Sequence, residues 1–356
     1  MSEIYLVFVV FLFVLAVFDL MVGVSNDAVN FLNSAIGAKV AKFRTIIIVA
    51  AVGVFLGATM SNGMMEVARH GIFHPAMFSM KELMFIFLAV MVSDVILLDI
   101  FNNLGLPTST TVSLVFELLG GTTAFVLLKL ANDTTGLTVG DLMNTEKALG
   151  MIMAIFVSVA IAFFFGIVLQ YISRLVFTFT YKKNLKWKIG IFGGIATTAI
   201  FYFMLFKGIK SMSFVTPEIQ EYIQSNTLTF LGICFLASTA VMQILYCLKV
   251  NVFKILVLMG TFALAMAFAG NDLVNFIGVP LAGYSSYTDY VSSGATDPST
   301  FMMSSLDGPA KSPLIFLVAA GAIMVFSLAT SKKARNVIKT SVDLSRQSEG
   351  DEMFGS

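Results

Sequence analysis

Ser25-Asn26-Asp27-Ala28-Val29-Asn30-Phe31-Leu32 recurs near the far end of the chain as Gly270-Asn271-Asp272-Leu273-Val274-Asn275-Phe276-Ile277, with five identities in eight positions. Repeated apolar residues would carry little information in so hydrophobic a sequence. Three repeated polar residues inside apolar runs carry more, because a carboxylate at the centre of a bilayer costs about 2.5–3.5 kcal/mol even on lenient insertion scales. Such residues need a partner or a task. Gly23 and Gly270, just before the two motifs, predict a backbone interruption at each.

The surroundings of these motifs decide the protein class. Of 356 residues, 58% are hydrophobic and 12% are charged, with a formal net charge of +1 and a mean hydropathy of +0.90. A soluble domain carries about 25% charged residues, so this composition excludes a soluble enzyme, a disordered regulator and a nucleic-acid binder. Thirty-five Phe and 27 Gly against 7 Pro suit helices packed in lipid. Cys234 and Cys247 lie in apolar surroundings and suggest neither disulfide nor metal cluster. Residues 1–18 carry only Glu3 and lack a basic leader region, which predicts a retained first helix.

With about 20 apolar residues needed per span, nine spans are expected: 4–38, 45–65, 83–103, 108–129, 148–178, 189–207, 228–248, 254–280 and 313–331. The polar stretch 281–312 reads as a loop. Basic clusters at Lys39/Lys42/Arg44, Lys182/Lys183/Lys186/Lys188, Lys249/Lys254 and Lys332/Lys333/Arg335/Lys339 all fall on one side of a nine-span topology. The positive-inside rule makes that side cytoplasmic, with the N-terminus outside and the C-terminus inside a cell membrane. The spans holding Asp27 and Asp272 then run in opposite directions. This is the pattern of an inverted repeat, which secondary transporters use to build mid-membrane sites on interrupted helices. The alternative, Asn and Asp as interhelical glue, fits one such motif better than two in opposite orientation. The expected fold is all-α: a polytopic membrane protein with inverted repeats and interrupted transmembrane helices. Its parts are an N-terminal repeat (1–131), connecting helices (132–227), an incomplete C-terminal repeat (228–335) and a cytoplasmic polar tail (336–356).

A third element is Gly105-Leu106-Pro107-Thr108-Ser109-Thr110-Thr111. Pro107 suits the start of a helix, and the hydroxyls would occupy a first turn whose free N–H groups attract anions. Ordinary helix capping explains such a run equally well. Together with the Asn-Asp motifs, it resembles the inorganic phosphate transporter (PiT) family. That family has a duplicated Gly-Ala-Asn-Asp-Val-Ala-Asn-type motif and a Pro-(Ser/Val/Thr)-Ser-Thr-Thr-His run. The resemblance covers roughly residues 16–125 and 255–285. It implies an all-helical symporter importing inorganic phosphate with Na⁺ or protons. It further implies that Asn26, Asp27, Asn30, Asn271, Asp272 and Asn275 surround substrate and ion. Ser109, Thr110 and Thr111 would contact phosphate beside Asp27 and Asp272, and Na⁺ would sit at Asn26, Asp27, Asn271 and Asp272.

The chain departs from that pattern in three places. Val112 replaces the usual His, the second span contains no carboxylate, and no second hydroxyl run follows Asp272. The last departure leads us to expect a fragment of a longer protein.

Electrostatics supports cation coupling from the residues themselves. No Lys or Arg lies near the middle of a span; Lys129, Arg174, Lys207 and Lys254 sit at edges. An anion placed beside Asp27 and Asp272 therefore requires mobile cations, for which oxygen-only ligands suit Na⁺ and protonated carboxylates suit H⁺. Phosphate can donate a hydrogen bond to these acceptors where sulfate cannot, which favours phosphate. Alternatives are a proton-coupled sulfate or phosphate permease, an intramembrane metal-dependent enzyme acting on a phosphorylated lipid, and a passive anion channel. The first is separated by coupling ion. The second lacks acid-dense clusters, and the third would prefer basic rings. No enzymatic activity and no cofactor beyond the coupling ion are expected. The expected partners are phosphate, Na⁺ and membrane lipids, with no nucleic acid; a homodimer is left open. Asp19, Asp94, Asp99 and Glu117 read as structural or pathway-lining acids. His70 and His74 read as loop residues, Lys182 to Lys188 as a topology signal with lipid headgroups nearby, and Asn132-Asp133-Thr134 as a sequon without consequence by itself.

Overall fold

Apolar runs longer than a bilayer is thick can satisfy their backbone only as helices, and helices account for most of the described residues. The computed structural model describes residues 2–61, 68, 71–132, 136–178, 185–204, 218, 221–222, 225–308 and 312–344. In chain order the helices are α1 (Ser2–Gly37), α2 (Phe43–Met60), α3 (Met80–Leu104), α4 (Thr110–Ala131), a single turn α5 (Val139–Leu142), α6 (Thr145–Phe177), α7 (Lys188–Phe203), α8 (Thr227–Cys247), α9 (Val252–Ser292), α10 (Leu314–Thr330) and α11 (Lys332–Leu344). Among the described residues two short 3-10 helices, Pro75–Met77 and Ser304–Asp307, and isolated β-bridges accompany them.

The expected nine spans are reduced. Seven described helices are long and apolar enough to cross a membrane, or eight if α10 and α11, bent by 65° at Ser331, count as one broken span. The stretch expected at 189–207 gives α7, a helix of 16 residues, which at 1.5 Å per residue reaches only about 24 Å.

The two motif helices are also not interrupted. α1 runs for 36 residues and α9 for 41 without a break, so each far exceeds the roughly 20 residues of one span. Gly23 acts by absence of bulk: a Cβ there would lie 2.1 Å from the Phe276 ring. Gly270 keeps its helical place, and its carbonyl accepts the Ser61 hydroxyl at 2.8 Å. α9 continues through Pro280 into the stretch expected to be a loop, because Leu281, Ala282, Ser286 and Tyr290 are all buried there. Residues 301–303 of that stretch bond to the start of α3 and the residues before it, with Met80 N donating to Phe301 O at 2.8 Å and Met303 N to Phe78 O at 3.0 Å.

α9 is the spine. Its first half packs with α7 and α8 around Ile189, Met242, Val252 and Leu256. Its middle packs with α1 and α2 and touches α10, and its last half packs with α1, α3 and α4, while α11 packs on α1 and α3. α1 and α9 cross in antiparallel register: Leu12 meets Gly283, Gly23 meets Phe276, and Phe31 meets Phe268. α2 approaches α9 closely enough that a Cβ on Gly57 would stand 2.0 Å from the Met266 carbonyl oxygen.

α11 buries Ala334, Val337 and Ile338, the i, i+3, i+4 spacing of one helix face. It is fixed to the body by a Lys333–Asp99 ion pair and by Asn33 Nδ2 donating to Ser341 Oγ at 3.0 Å. Arg335 lies over the Phe43 ring at 5.2 Å, so the basic clusters at 39–44 and 332–339 share one end of the bundle.

Candidate functional site

The start of α4 is held between the two motif helices. Asn26, fully buried on α1, donates to Asn102 Oδ1 at 2.9 Å and to Leu106 O at 3.0 Å, and its Oδ1 accepts from Thr108 N at 2.7 Å. These bonds fix the segment leading into α4. Pro107 lies outside that helix, which begins at Thr110 with Ser109 as N-cap; the Ser109 hydroxyl accepts from Val112 N at 3.3 Å. The capping reading therefore holds for Ser109. Thr110 and Thr111 point elsewhere.

Thr110 Oγ1 donates to Asp27 Oδ2 at 3.3 Å, and Thr111 Oγ1 donates to Asp272 Oδ1 at 3.4 Å. Adjacent hydroxyls on one helix thus reach one aspartate from each motif. Asn275 ties them together: its Nδ2 lies 2.9 Å from Thr111 Oγ1 and 3.3 Å from both Thr110 Oγ1 and Asp272 Oδ1. Asp27, Thr110 and Asn275 are buried, Asp272 is partly buried, and Thr111 is exposed. The hydroxyl–carboxylate contacts are longer than the usual ~2.7–2.8 Å O–H···O bond. They leave the hydroxyls free to turn toward another acceptor. The first amides of α4 have no helical carbonyl to bond and add the positive end of its dipole to the same place.

The two motifs are used unequally. On α1 the residues engaged are Asn26 and Asp27; on α9 they are Asp272 and Asn275. Asn30 and Asn271 are exposed and lie outside this hydrogen-bonded cluster. One hydroxyl run serves both aspartates.

Several contributors were not apparent from sequence. Asn102, in the last turn of α3, is buried, accepts from Asn26 and donates to Val22 O at 2.7 Å. Ser61 on the Gly270 carbonyl does the corresponding service for α9. Ser25 bonds Ser331 Oγ at 2.9 Å, and Ser327 donates to Met21 O at 2.9 Å, which ties the α10–α11 bend to the first motif. A polar side chain at the end of an apolar run was the available signal for Asn102, Ser61, Ser327 and Ser331.

The other acids sort differently. Asp99 is paired with Lys333 and with Asn103 Nδ2 at 2.9 Å, a structural role at the end of α3. Glu82 pairs with Lys129 at 3.0 Å. Neither ion pair found among the described residues lies at the threonines. His74 is an exposed loop residue; His70, Lys182, Lys183, Asp133 and Thr134 lie outside the described residues.

Comparison with known proteins adds two findings. A family model described as the phosphate transporter family matches residues 23–341. A solved structure titled "The sodium-dependent phosphate transporter" superposes with a TM-score of 0.67 at 19% identity, over 95% of this chain and 78% of that one. No curated protein matches the sequence.

Proposed function

The chain belongs to the phosphate transporter family, and from that premise we propose that it imports inorganic phosphate by symport with Na⁺, through alternating access between inverted halves. The observation that carries this reading is the pair of adjacent hydroxyls, Thr110 and Thr111, each bound to an aspartate from a different motif helix. An anion site alone would not bring two carboxylates to its donors. A cation site alone would have no use for the start of a helix.

The hydrogen bonds suggest an order of events. Without cations, the threonine O–H groups are occupied by Asp27 and Asp272, and phosphate would face two uncompensated negative charges. Na⁺ at the carboxylates, with Asn26, Asn275 and the threonine lone pairs as further oxygen ligands, neutralises the repulsion and takes the acceptor role of those carboxylates. The hydroxyls of Ser109, Thr110 and Thr111 can then turn to phosphate, beside the amides of α4. A protonated phosphate oxygen can in turn donate to an aspartate oxygen, which sulfate at neutral pH cannot do; unpaired acceptors then count against sulfate. Asn30 and Asn271, which the family resemblance implies for the same ion site, stand outside the cluster and would join it only through a rearrangement. With the shared end of the basic clusters on the cytoplasmic side, the N-terminus is external.

The test is uptake of labelled phosphate into proteoliposomes holding the purified chain. An inward Na⁺ gradient should drive accumulation with the proton gradient collapsed by an ionophore, and equimolar sulfate should not compete. Accumulation that needs the proton gradient and ignores Na⁺ would overturn sodium coupling; competition by sulfate would overturn the selectivity.

A further inference from the structure

A second polar cluster lies inside the bundle, and no step above uses it. Asp19 on α1 is fully buried, and neither of its carboxyl oxygens has a hydrogen-bond donor. Asp94 on α3 is likewise fully buried, with Oδ2 unpartnered, and Glu117 on α4 has a buried, unpartnered Oε2. Asp94 is the centre of the group: its carboxyl lies within hydrogen-bonding reach of both Asp19 and Glu117. Ser113 Oγ stands 2.6 Å from Asp94 Oδ1 and 2.9 Å from Glu117 Oε1.

Counting hydrogens decides what this arrangement holds. A serine hydroxyl has one proton to give, and an ionised carboxylate has none. Ser113 can satisfy one of its two carboxyl neighbours; the other contact is a hydrogen bond only if that acid donates. The Asp19–Asp94 contact is a hydrogen bond only if one of that pair carries a proton. The charged groups facing the cluster do not remove this need. From α1 come Asp19 and, electrostatically, Asp27; from α3 Asp94; from α4 Glu117. All are acids, and both ion pairs among the described residues lie elsewhere. Three uncompensated carboxylates in a low-dielectric interior would be far more costly than one or two neutral acids. A metal ion is the other means of compensation. However, among the described residues no three acidic, His or Cys side chains are grouped as a metal ion requires.

We propose that Asp19, Asp94 and Glu117 form a proton-binding site, in which Ser113 links two of the acids and up to two protons are shared along the chain Asp19–Asp94–Glu117. It lies about 12 Å along α1 from Asp27, eight residues at 1.5 Å each. It makes the environment of the transport site less negative without occupying that site. The inference does not depend on sodium coupling or on phosphate being the cargo.

Infrared spectroscopy of the reconstituted full chain tests it without any transport assay. At pH 7, where ordinary carboxyls near pKa 4 are ionised, the spectrum should show the C=O stretch of buried protonated carboxyls. Asp94→Asn should weaken that band markedly, because the acid at the centre of the chain is gone and the amide can donate to both neighbours. Asp19→Asn should leave about half of it, since one contact in the chain still requires an acid to donate. Asp99→Asn, in a partly exposed ion pair, should leave it unchanged. The parent protein alone suffices if a variant does not fold: absence of the band overturns the proposal. So does a band of parental amplitude in Asp94→Asn, or one that vanishes when NaCl replaces choline chloride, which would assign the cluster to a sodium ion.

Discussion

Replacing Asp272 with Asn removes a charge and almost nothing else. The side chain keeps its size, and an amide oxygen can still accept from Thr111 Oγ1 and Asn275 Nδ2, which lie 3.4 and 3.3 Å from Asp272 Oδ1. What is lost is the attraction between a carboxylate and a bound cation. At about 4 Å and an effective dielectric of about 20, that attraction is worth about 4 kcal/mol. Two corrections reduce it: the amide dipole keeps a share, and Asp27 is relieved of a like-charged neighbour. Asp272 is also only partly buried, so solvent screens some of the remainder. A net loss of about 2–3 kcal/mol corresponds to a roughly 30- to 150-fold rise in the Na⁺ concentration that half-saturates uptake. Phosphate responds with the opposite sign: once Na⁺ is saturating, one fewer negative charge beside the anion does not raise its half-saturating concentration. The assay is initial-rate phosphate uptake in proteoliposomes, titrated with Na⁺ at fixed phosphate and then with phosphate at high Na⁺. Parental Na⁺ activation in Asp272→Asn would refute the reasoning, as would a loss confined to phosphate affinity.

Other consequences are equally direct. Asn30→Ala and Asn271→Ala, both at exposed positions outside the cluster, should change Na⁺ half-saturation by no more than about twofold; a larger effect in the same titration would put them on the ion. Asn26→Ala strands Thr108 N and the amide of Asn102 that it now joins, and at about 1–3 kcal/mol per buried unsatisfied group it should lower the thermal unfolding midpoint in detergent as well as transport. Gly57→Ala places a methyl 2.0 Å from the Met266 carbonyl oxygen and should destabilise by about 1–3 kcal/mol or more, by forcing α2 and α9 apart; unchanged denaturant unfolding would show that the helices separate freely. A double-mutant cycle of Asp99→Asn with Lys333→Gln should give a coupling below about 1 kcal/mol, because both side chains of this pair are roughly two-fifths exposed.

The motifs were legible because polar residues stand out where lipid or protein interior penalises them. Asn26, Asp27, Asp272 and Asn275 were recognisable on that ground, and so was the threonine run once it had such company. The inequality between the motifs was not legible. Asn30 and Asn275 occupy matching registers, but only one α4 start is available to both motifs, and it breaks their equivalence. Sequence also could not tell a glycine that permits an interruption from one that permits contact: Gly23 makes room for Phe276 while its helix continues. The polar composition of 281–312 was equally misleading, since burial of the residues after Pro280 sustains α9 to Ser292. The Asp19–Asp94–Glu117 cluster, spread over three helices, becomes visible only when those helices are packed together.

The central claim is that Asp27 and Asp272 bind the ion that brings phosphate in, so the most direct measurement follows the ion. In proteoliposomes with equal Na⁺ on both sides, near the concentration that half-saturates the parent, an inward phosphate gradient should drive net entry of radiolabelled sodium, and at that concentration this entry should be lost in Asp27→Asn and Asp272→Asn. Phosphate entry without accompanying sodium in the parent protein would contradict the account.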